Sequence, residues 1–273
     1  MRFDEVGYWS EVKLEIIQKY ATAYSVILNK QGFIKKYFYI DGFSGPGVHI
    51  SKQTQEYIPG SPLNALSVNP PFHGYYFIDM DGDKAECLRA ISGEYKNVTV
   101  YKGDCNKILL ETVFPNIQYE TYTRALCLLD PYGLHLNWDV IYTAGQSKAI
   151  EIFLNFPIMD MNMNILKKNP DKAEQGQIER MNRFWGDESW RESAYKKEPG
   201  LFEKIDEKTT NKTVVSAFAE KLKKVAGFQY VAQPLPMRNN KGTTVYYLMF
   251  ASPNKTGHSI VNDIISKYED RGK

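Results

Sequence analysis

The chain contains little cysteine and no long apolar segment. Its three cysteines, Cys87, Cys105 and Cys127, are odd in number and show no CxxC spacing, which argues against a disulfide framework and against a cysteine-ligated zinc site. No stretch approaches the roughly 18 uninterrupted apolar residues of a membrane span. The first residues, MRFDEVGYWSE, lack the basic-then-apolar order of a signal peptide. These absences predict a cytoplasmic protein that makes no contact with a membrane.

Excess charge is also scarce. The 34 Lys and Arg residues nearly balance the 32 Asp and Glu residues, which leaves a formal net charge of +2. Proteins whose main role is to coat nucleic acid through phosphate contacts depend on many more basic residues. A hydrophobic content of 43% and a charged content of 24% are typical of soluble globular chains and exclude a disordered, collagen-like or coiled-coil protein. We predict a single domain over residues 1–273.

Short apolar segments alternate with connections long enough for helices. Residues 9–30 carry apolar side chains at intervals of three and four, which predicts an amphipathic helix. Strand-like segments follow at residues 36–41, 75–79, 98–101, 125–130 and 149–153, and a later pair at 228–233 and 244–251 is predicted to form an antiparallel hairpin. Buried strands separated by helices form parallel sheets that are covered on both faces. The predicted fold class is α/β: a Rossmann-like, mostly parallel seven-stranded sheet with helices on both faces.

The strand pattern is interrupted between residues 158 and 211. This polar and charged segment predicts a mainly helical insertion that contacts the substrate or a partner. Its aromatic side chains include Phe184, Trp185, Trp190 and Phe202. In one interpretation they form a platform on which bases stack; in the other they are a small core of the insertion itself.

A glycine-rich loop follows the first predicted strand. In doubly wound sheets, ligands bind beyond the carboxyl ends of the strands, where the strand order reverses. The sequence Asp41-Gly42-Phe43-Ser44-Gly45-Pro46-Gly47 stands at such an end, and its glycines let the backbone approach a ligand closely. It resembles the first motif of S-adenosylmethionine-dependent methyltransferases, which binds the methionine part of the cofactor. The resemblance makes Asp41, Phe43, Ser44, Gly45 and Gly47 predicted cofactor-binding residues, while a purely structural glycine turn is the alternative.

Aspartates also end the second and third predicted strands. Asp79, followed by Met80, stands where such folds present a carboxylate to the two ribose hydroxyls. Asp104, followed by Cys105, stands where methyltransferases bind the adenine amino group. These four residues complete the predicted cofactor site. The alternative for each aspartate is that it caps the helix that follows it.

The fourth predicted strand ends in Asp130-Pro131-Tyr132-Gly133, the most specific pattern in the chain. It resembles the fourth motif of amino-methyltransferases, and in particular the variant found in guanine-N2 tRNA methyltransferases. An exocyclic amine is a poor nucleophile because its lone pair is delocalised into the ring, so an acceptor for its hydrogens assists attack and a flat side chain orients the base. Asp130, Pro131 and Tyr132 are therefore the predicted catalytic residues, and a nucleic acid is the predicted substrate. A structural turn is the alternative, because Tyr132 replaces the second proline of the motif.

Other chemistries find less support in the sequence. No cysteine follows a proline, as cytosine C5 methylation requires, and no GxSxG nucleophile elbow occurs. The four histidines show no pair with metal-ligand spacing, so no metal site is expected. A two-metal nuclease would need clustered carboxylates, which the sequence does not offer.

Ordered blocks along nearly the whole chain resemble the three-Cys-motif partner (TcmP) family. They are Lys13-Leu14, YIDGFSGPG (39–47), Gly60-Ser61-Pro62, YYFIDMD (75–81), Gly103-Asp104-Cys105-Asn106, LLDPYGLHLNW (128–138), Asn155-Phe156-Pro157, Phe184-Trp185-Gly186 and YYLMFAS (246–252). The resemblance implies a class I methyltransferase-like fold with S-adenosylmethionine as its cofactor. It also implies a partner, a three-cysteine-motif protein that resembles radical S-adenosylmethionine enzymes. The sequence thus favours a methyltransferase, and the alternative is a catalytically degenerate, methyltransferase-like interaction module that works with this partner.

Overall fold

The structure is a computed structural model that describes residues 4–199 and 204–268; Phe202 lies outside these ranges. The helices and strands follow one another in this order: β1 (Glu5–Val6), α1 (Tyr8–Lys30), β2 (Lys36–Asp41), β3 (Val48–Ser51), β4 (Tyr57–Pro59), α2 (Ser61–Leu66), β5 (Gly74–Asp79), α3 (Gly82–Ser92), β6 (Val98–Lys102), α4 (Cys105–Ile108), a π-helical turn (Leu109–Val113), a 3₁₀ turn (Phe114–Asn116), β7 (Thr123–Leu129), α5 (Trp138–Gln146), β8 (Ile150–Phe156), α6 (Ile158–Asn164), a second 3₁₀ turn (Pro170–Lys172), α7 (Gln175–Trp185), α8 (Trp190–Ala194), β9 (Tyr195–Pro199), β10 (Lys204–Lys208), α9 (Asn211–Lys224), β11 (Tyr230–Val231), β12 (Leu235–Arg238), β13 (Thr244–Ser252) and α10 (Lys255–Ile265).

The centre of the main sheet is parallel. Its strand order begins β6-β5-β2-β7-β8, and the pairings between these neighbours are all parallel. This is the order of doubly wound folds, in which the chain adds strands first on one side of the first strand and then on the other. The reversal lies between β2 and β7. It opens a crevice beyond the carboxyl ends of these two strands.

The far side of the main sheet differs from the predicted arrangement. The sequence predicts seven strands, whereas the described residues form an eight-stranded mixed sheet. β13 runs antiparallel to β8, and both β11 and β12 pair antiparallel with β13. Within the predicted strand at 228–233 only β11 forms, and β12 follows it at Leu235–Arg238, outside the predicted range. Pro234, which has no N–H to donate, separates the two.

Helices cover both faces of the main sheet and enclose two hydrophobic cores. Side chains of a strand alternate between faces, so Tyr37 and Tyr39 of β2 contribute to the core beneath α1 and α10, while Ile40 contributes to the opposite core. In α1, Ile17, Tyr20 and Tyr24 lie on one buried stripe, as the period of an amphipathic helix requires. Among the described residues, no helix is both long and apolar enough to cross a membrane.

The segment 158–211 is helical at first and then forms a hairpin. α6, α7 and α8 agree with the predicted helical insertion, but β9 and β10 pair antiparallel in a small sheet of their own. Phe184, Trp185 and Trp190 are at most 2% exposed. Phe184 and Trp185 pack on Phe156 of β8 and on Phe218 of α9. These aromatic residues therefore belong to the core of the main sheet and form neither a stacking platform nor a separate core.

Candidate functional site

The two loops that the sequence singles out meet at the point where the strand order reverses. The loop 41–47 follows β2 and the loop 130–133 follows β7, which is the neighbour of β2 in the sheet. Both loops line a cavity of about 660 Å³, within the range of small-molecule sites. Residues 4–7 and α1 form the other wall. Residues 5–6 form β1, and the pairing of β1 with β3 keeps this wall in place.

Asp41 stabilises the glycine loop through hydrogen bonds. Its carboxylate is fully buried and accepts hydrogen bonds from the Phe43 N–H at 3.1 Å and from the Ser61 hydroxyl at 2.5 Å. Burial raises the pKa of Asp41 to about 7, although both hydrogen bonds oppose the rise. Ser44 ties the loop to β5, since its hydroxyl accepts the Ile78 N–H at 2.8 Å. Asp41 and Ser44 therefore shape the loop, while Phe43, Ser44 and Gly45 line the cavity.

Gly45 and Gly47 need to be glycine for different reasons. Both have left-handed backbone, with φ of +63° and +85°. A Cβ at Gly47 would lie 3.0 Å from Cδ1 of the buried Leu88. At Gly45, within the part of the chain that the structure describes, a Cβ would meet nothing nearer than His49 Cε1 at 4.0 Å. A side chain at position 45 would thus occupy open space beside the cavity.

Asp79 links the end of β5 to the glycine loop. Its Oδ2 accepts the Gly45 N–H at 2.8 Å, and its Oδ1 accepts the Asp81 N–H at 2.8 Å. Asp81, not Asp79, caps α3 by accepting the Asp83 N–H. The Asp79 side chain remains partly exposed, and the neighbouring Met80 is 70% exposed. Each carboxylate oxygen has a second lone pair for a ligand.

Asp104 and Cys105 have structural roles at the next strand end. Asp104 is the N-cap of α4 and accepts hydrogen bonds from the Asn106 N–H and Nδ2, each at 2.9 Å. Cys105 is buried, and this burial raises the pKa of its thiol to about 12. Asp79, Met80, Asp104 and Cys105 are not among the residues that line the 660 Å³ cavity. Asp79 ends β5 and Asp104 follows β6, and these two strands lie on the side of β2 opposite to β7.

Asp130 forms an ion pair with Lys13 of α1 inside the cavity. The Lys13 side chain is 10% exposed and that of Asp130 is 25% exposed. Burial alone would lower the pKa of Lys13, but the negative charge of Asp130 outweighs it and the pKa of Lys13 is raised. Lys13 therefore stays protonated and places a positive charge beside the carboxylate. Its Nζ also lies 5.3 Å from the ring centroid of Tyr246.

Two buried polar atoms in the wall of this cavity lack a protein partner. Within residues 4–199 and 204–268, neither the side-chain Oδ1 of Asn155 nor Nδ1 of His49 has a hydrogen bond. Asn155, on β8, is 8% exposed. Burial, aided by the charge of Lys13, lowers the pKa of His49, so its ring is neutral at pH 7. Buried polar atoms without partners are costly, so such atoms in a cavity wall indicate a polar ligand.

The loop 130–133 is braced from the insertion. The Leu134 N–H donates to Asp160 at 3.2 Å, and Arg180 of α7 pairs with the same carboxylate at 3.4 Å. Tyr132 projects from this loop with 76% of its surface exposed. Its hydroxyl donates to Asp4 at 3.4 Å, and Lys84 Nζ lies 5.7 Å from its ring centroid.

The cavity thus brings together Phe43, Ser44, Gly45, Asp130, Pro131 and Tyr132, which the sequence predicts to be functional. The roles of Lys13, Asn155 and His49 were missed. A signal existed for two of them. Lys13 stands on the apolar stripe of α1, and Asn155 interrupts the apolar run of β8; a polar residue in such a position needs a buried partner.

Comparisons with known proteins establish the fold and no family. No protein-family model matches the chain, and no curated protein matches it. Protein LPL1258 of the DUF519 family, from Legionella pneumophila, matches with a TM-score of 0.58 at 13% sequence identity, over 98% of this chain and 94% of that chain. The DszA carbon methyltransferase gives a TM-score of 0.44 at 13% identity over 88% of this chain and 54% of its own. The methyltransferase domain of bacterial CtHen1 gives a TM-score of 0.40 at 12% sequence identity, over 87% of this chain and 99% of that chain. The likeness to LPL1258 establishes the α/β fold along nearly the whole chain.

Proposed function

We propose that this protein is an S-adenosylmethionine-dependent methyltransferase of class I that acts on an exocyclic amine of a nucleic-acid base. The observation that carries the proposal is the position of the Asp130–Lys13 ion pair. It faces the same cavity as the glycine loop, at the point where the strand order reverses. Doubly wound folds bind their ligands at this point.

The residues around the glycine loop fit the cofactor. The open space at Gly45 is a cradle that any side chain would fill, and the backbone there can approach a ligand closely. The partly exposed carboxylate of Asp79 suits the ribose hydroxyls, and the exposed Met80 offers an apolar surface for a flat ring. Asp104 and Cys105 would close the adenine end. When bound, S-adenosylmethionine supplies an electrophilic methyl group.

The cavity residues would prepare the amine for attack. Asp130 accepts a hydrogen bond from the amino group, which concentrates the lone pair on nitrogen. Its negative charge stabilises the positive charge that develops there, and it can accept the proton that the nitrogen then loses. Lys13 pairs with Asp130 and fixes its orientation. The unpartnered Asn155 Oδ1 is a second acceptor for the same amino group, and the exposed ring of Tyr132 stacks on the base.

A second candidate function is the catalytically degenerate interaction module. Two of the predicted site residues favour it because they already have partners within the protein: Asp130 is paired with Lys13, and Asp104 caps α4. In this function the chain is a TcmP-family protein whose role is to bind its three-cysteine-motif partner. The unpartnered Asn155 Oδ1 favours the enzyme, because a module without a ligand gains nothing from it.

Methyl transfer from radiolabelled S-adenosylmethionine to RNA and DNA tests the proposal. We expect the wild-type protein to label one of these nucleic acids. We expect Asp130→Asn to lower the rate of methyl transfer by roughly 100-fold, because the neutral amide does not stabilise the positive charge that develops on the nitrogen. Cofactor affinity should be retained. Asp139→Asn, on α5, is the matched control and keeps full activity. Labelling that is unchanged in Asp130→Asn, or that is absent in the wild type with and without the partner protein, would contradict the proposal.

A further inference from the structure

A second cavity lies at the opposite edge of the main sheet. It has a volume of about 360 Å³ and surrounds the amino ends of β7 and β8. Tyr24 of α1 lines this cavity, while Lys13 of the same helix lines the first one. Eleven residues of helix separate them, which is about 16 Å. A ligand in the second cavity is therefore remote from Asp130.

The floor of this cavity is polar and incompletely paired. The hydroxyl of Tyr24 is buried and has no hydrogen bond in the part of the chain that the structure describes, and Tyr24 as a whole is 6% exposed. Beside it lies the buried carboxyl of Glu151, which accepts hydrogen bonds from the hydroxyls of Tyr20 and Ser252. A buried hydroxyl without a partner is costly in a structural core. Its position in a cavity wall indicates a ligand that can hydrogen-bond to it.

The rim of the cavity is basic. Arg124, Lys148 and Lys255 line it, and the buried Glu151 is the acid among the described lining residues. Of the adjoining segments, KQGFIKK (30–36) adds three lysines and QYETYTR (118–124) adds one glutamate. A concave site with this excess of cations attracts an anion such as a phosphate group.

Exposed aromatic rings stand beside these cations. Phe33, Tyr119 and Tyr122 are 57%, 50% and 45% exposed, and Phe33 and Tyr119 line the cavity. The Arg124 guanidinium lies 4.1 Å from the ring centroid of Tyr119. Exposed rings interleaved with cations are the pattern on which nucleobases stack while phosphates are neutralised.

We propose that this second cavity binds a nucleotide unit, either as a free nucleotide or as part of a single-stranded nucleic acid. The cations of the rim bind its phosphate, an exposed ring stacks on the base, and the Tyr24 hydroxyl hydrogen-bonds to a polar edge of the ligand. The site is distinct from the methyl-transfer site and does not depend on it. As part of a substrate, such a nucleotide would anchor the nucleic acid at a distance from the reacting base.

The test measures binding without S-adenosylmethionine. The probes are the four ribonucleoside monophosphates, followed by calorimetry, and fluorescein-labelled single-stranded RNA and DNA of about 12 nucleotides, followed by fluorescence anisotropy. We expect the wild type to bind and the double variant Lys148→Glu/Lys255→Glu to bind at least about tenfold more weakly, since it reverses two charges at the rim. Lys267→Glu, beyond the C-terminal end of α10, reverses one charge away from the cavity. It is the control and is expected to bind like the wild type.

Tyr24→Phe removes the unpartnered hydroxyl and keeps the ring that stacks on Phe72. Tyr24→Phe is expected to fold with an unchanged thermal midpoint and to bind the nucleotide probes a few-fold more weakly. If the charge variant does not fold, Tyr24→Phe alone tests whether the second cavity binds these probes. Binding of both kinds of probe identifies a free nucleotide as a sufficient ligand, whereas binding of the oligonucleotides alone identifies a nucleotide within a chain. Both results support the proposal.

Three results would overturn the proposal: absence of binding by the wild type, wild-type affinity in both the charge variant and Tyr24→Phe, or a loss in Asp130→Asn as large as that in the charge variant. The last result would place binding in the first cavity. Because no methyl transfer is measured, each of these outcomes leaves the proposed enzymatic function to be judged by its own test.

Discussion

At the scale of single residues, the site depends on a lysine in an apolar position. Lys13 lies on the buried stripe of α1 with Ile17 and Tyr20. A buried ammonium group is costly unless it is paired, and the carboxylate of Asp130 supplies the pairing. The pair joins residues 117 positions apart. It therefore fixes α1 against the loop 130–133 as well as orienting Asp130.

Replacement of Lys13 tests this positioning role. In Lys13→Met we expect kcat to fall about tenfold or more, because Asp130 loses the ion-pair partner that orients it, while the Kd for the cofactor stays within about twofold of the wild-type value. The loss should therefore appear in kcat and not in cofactor affinity. Lys13→Arg should restore part of the rate. Lys19→Met, on the exposed side of α1, is the control. An unchanged kcat in Lys13→Met, or a rise in the cofactor Kd as large as the fall in kcat, would contradict the role.

Asp130 and Lys13 differ in how far the sequence alone predicts their roles. Asp130 belongs to a local motif that can be identified without the fold. Its partner cannot be identified in this way, because only the packing of α1 across the sheet brings Lys13 to it. The cap of α3 is a similar case: several aspartates precede this helix, and the backbone geometry at its first turn makes Asp81 the cap.

At the scale of elements, the glycine loop combines a structural and a functional requirement. Gly47 packs its backbone against the buried Leu88, whereas Gly45 faces open space beside the cavity. Both have left-handed backbone, which costs an alanine roughly 1–2 kcal/mol. The two glycines should therefore respond differently to the same substitution.

We expect Gly47→Ala to lower the free energy of unfolding by about 2–3 kcal/mol, because the backbone strain adds to the close contact with Leu88. Gly45→Ala should lower it by only about 1 kcal/mol, but should weaken cofactor binding more strongly, because its methyl group occupies the cradle. Urea denaturation and calorimetric titration of both variants provide the comparison. Equal effects of the two substitutions on stability and on binding would argue against the separate roles.

Elements with strong local patterns are predicted well, and short ones are not. The strands β2, β5, β6, β7 and β8 and the helix α1 lie within a few residues of their predicted positions. The strands β1, β3 and β4 were missed because they are two to four residues long and are held by pairing with each other rather than by a buried face. The hairpin β9–β10 was missed because its charged sequence carries no apolar alternation.

At the scale of the whole molecule, two buried carboxyls give stability a dependence on pH. Glu151 lies near the amino edge of the sheet and Asp41 at the carboxyl edge, and burial raises the pKa of each to about 7. In the unfolded chain their ordinary values are 3.8 for Asp41 and 4.5 for Glu151. Between these values and pH 7, the folded state holds protons that the unfolded state has released. The free energy of unfolding therefore falls as the pH rises through this interval.

Glu151→Gln isolates one of these contributions. The wild type should lose about 3 kcal/mol of stability through Glu151 between pH 4.5 and pH 7, and the variant should lack this loss while keeping the part due to Asp41. The difference in unfolding free energy between variant and wild type should therefore shift in favour of the variant as the pH rises. Urea denaturation at pH 5 and pH 8 measures this shift. A difference that does not change between the two pH values would show that Glu151 titrates normally.

The most direct measurement of the central claim is a calorimetric titration of the protein with S-adenosylmethionine and with S-adenosylhomocysteine. We expect micromolar binding, about −8 kcal/mol. Asp79→Ala should weaken it by about 1.5–3 kcal/mol, since this change removes the proposed partner of the ribose hydroxyls and the acceptor of the Gly45 N–H. Asp83→Ala, on the exposed first turn of α3, should bind like the wild type. Absence of binding by the wild type, or undiminished affinity in Asp79→Ala, would contradict a cofactor site at this loop.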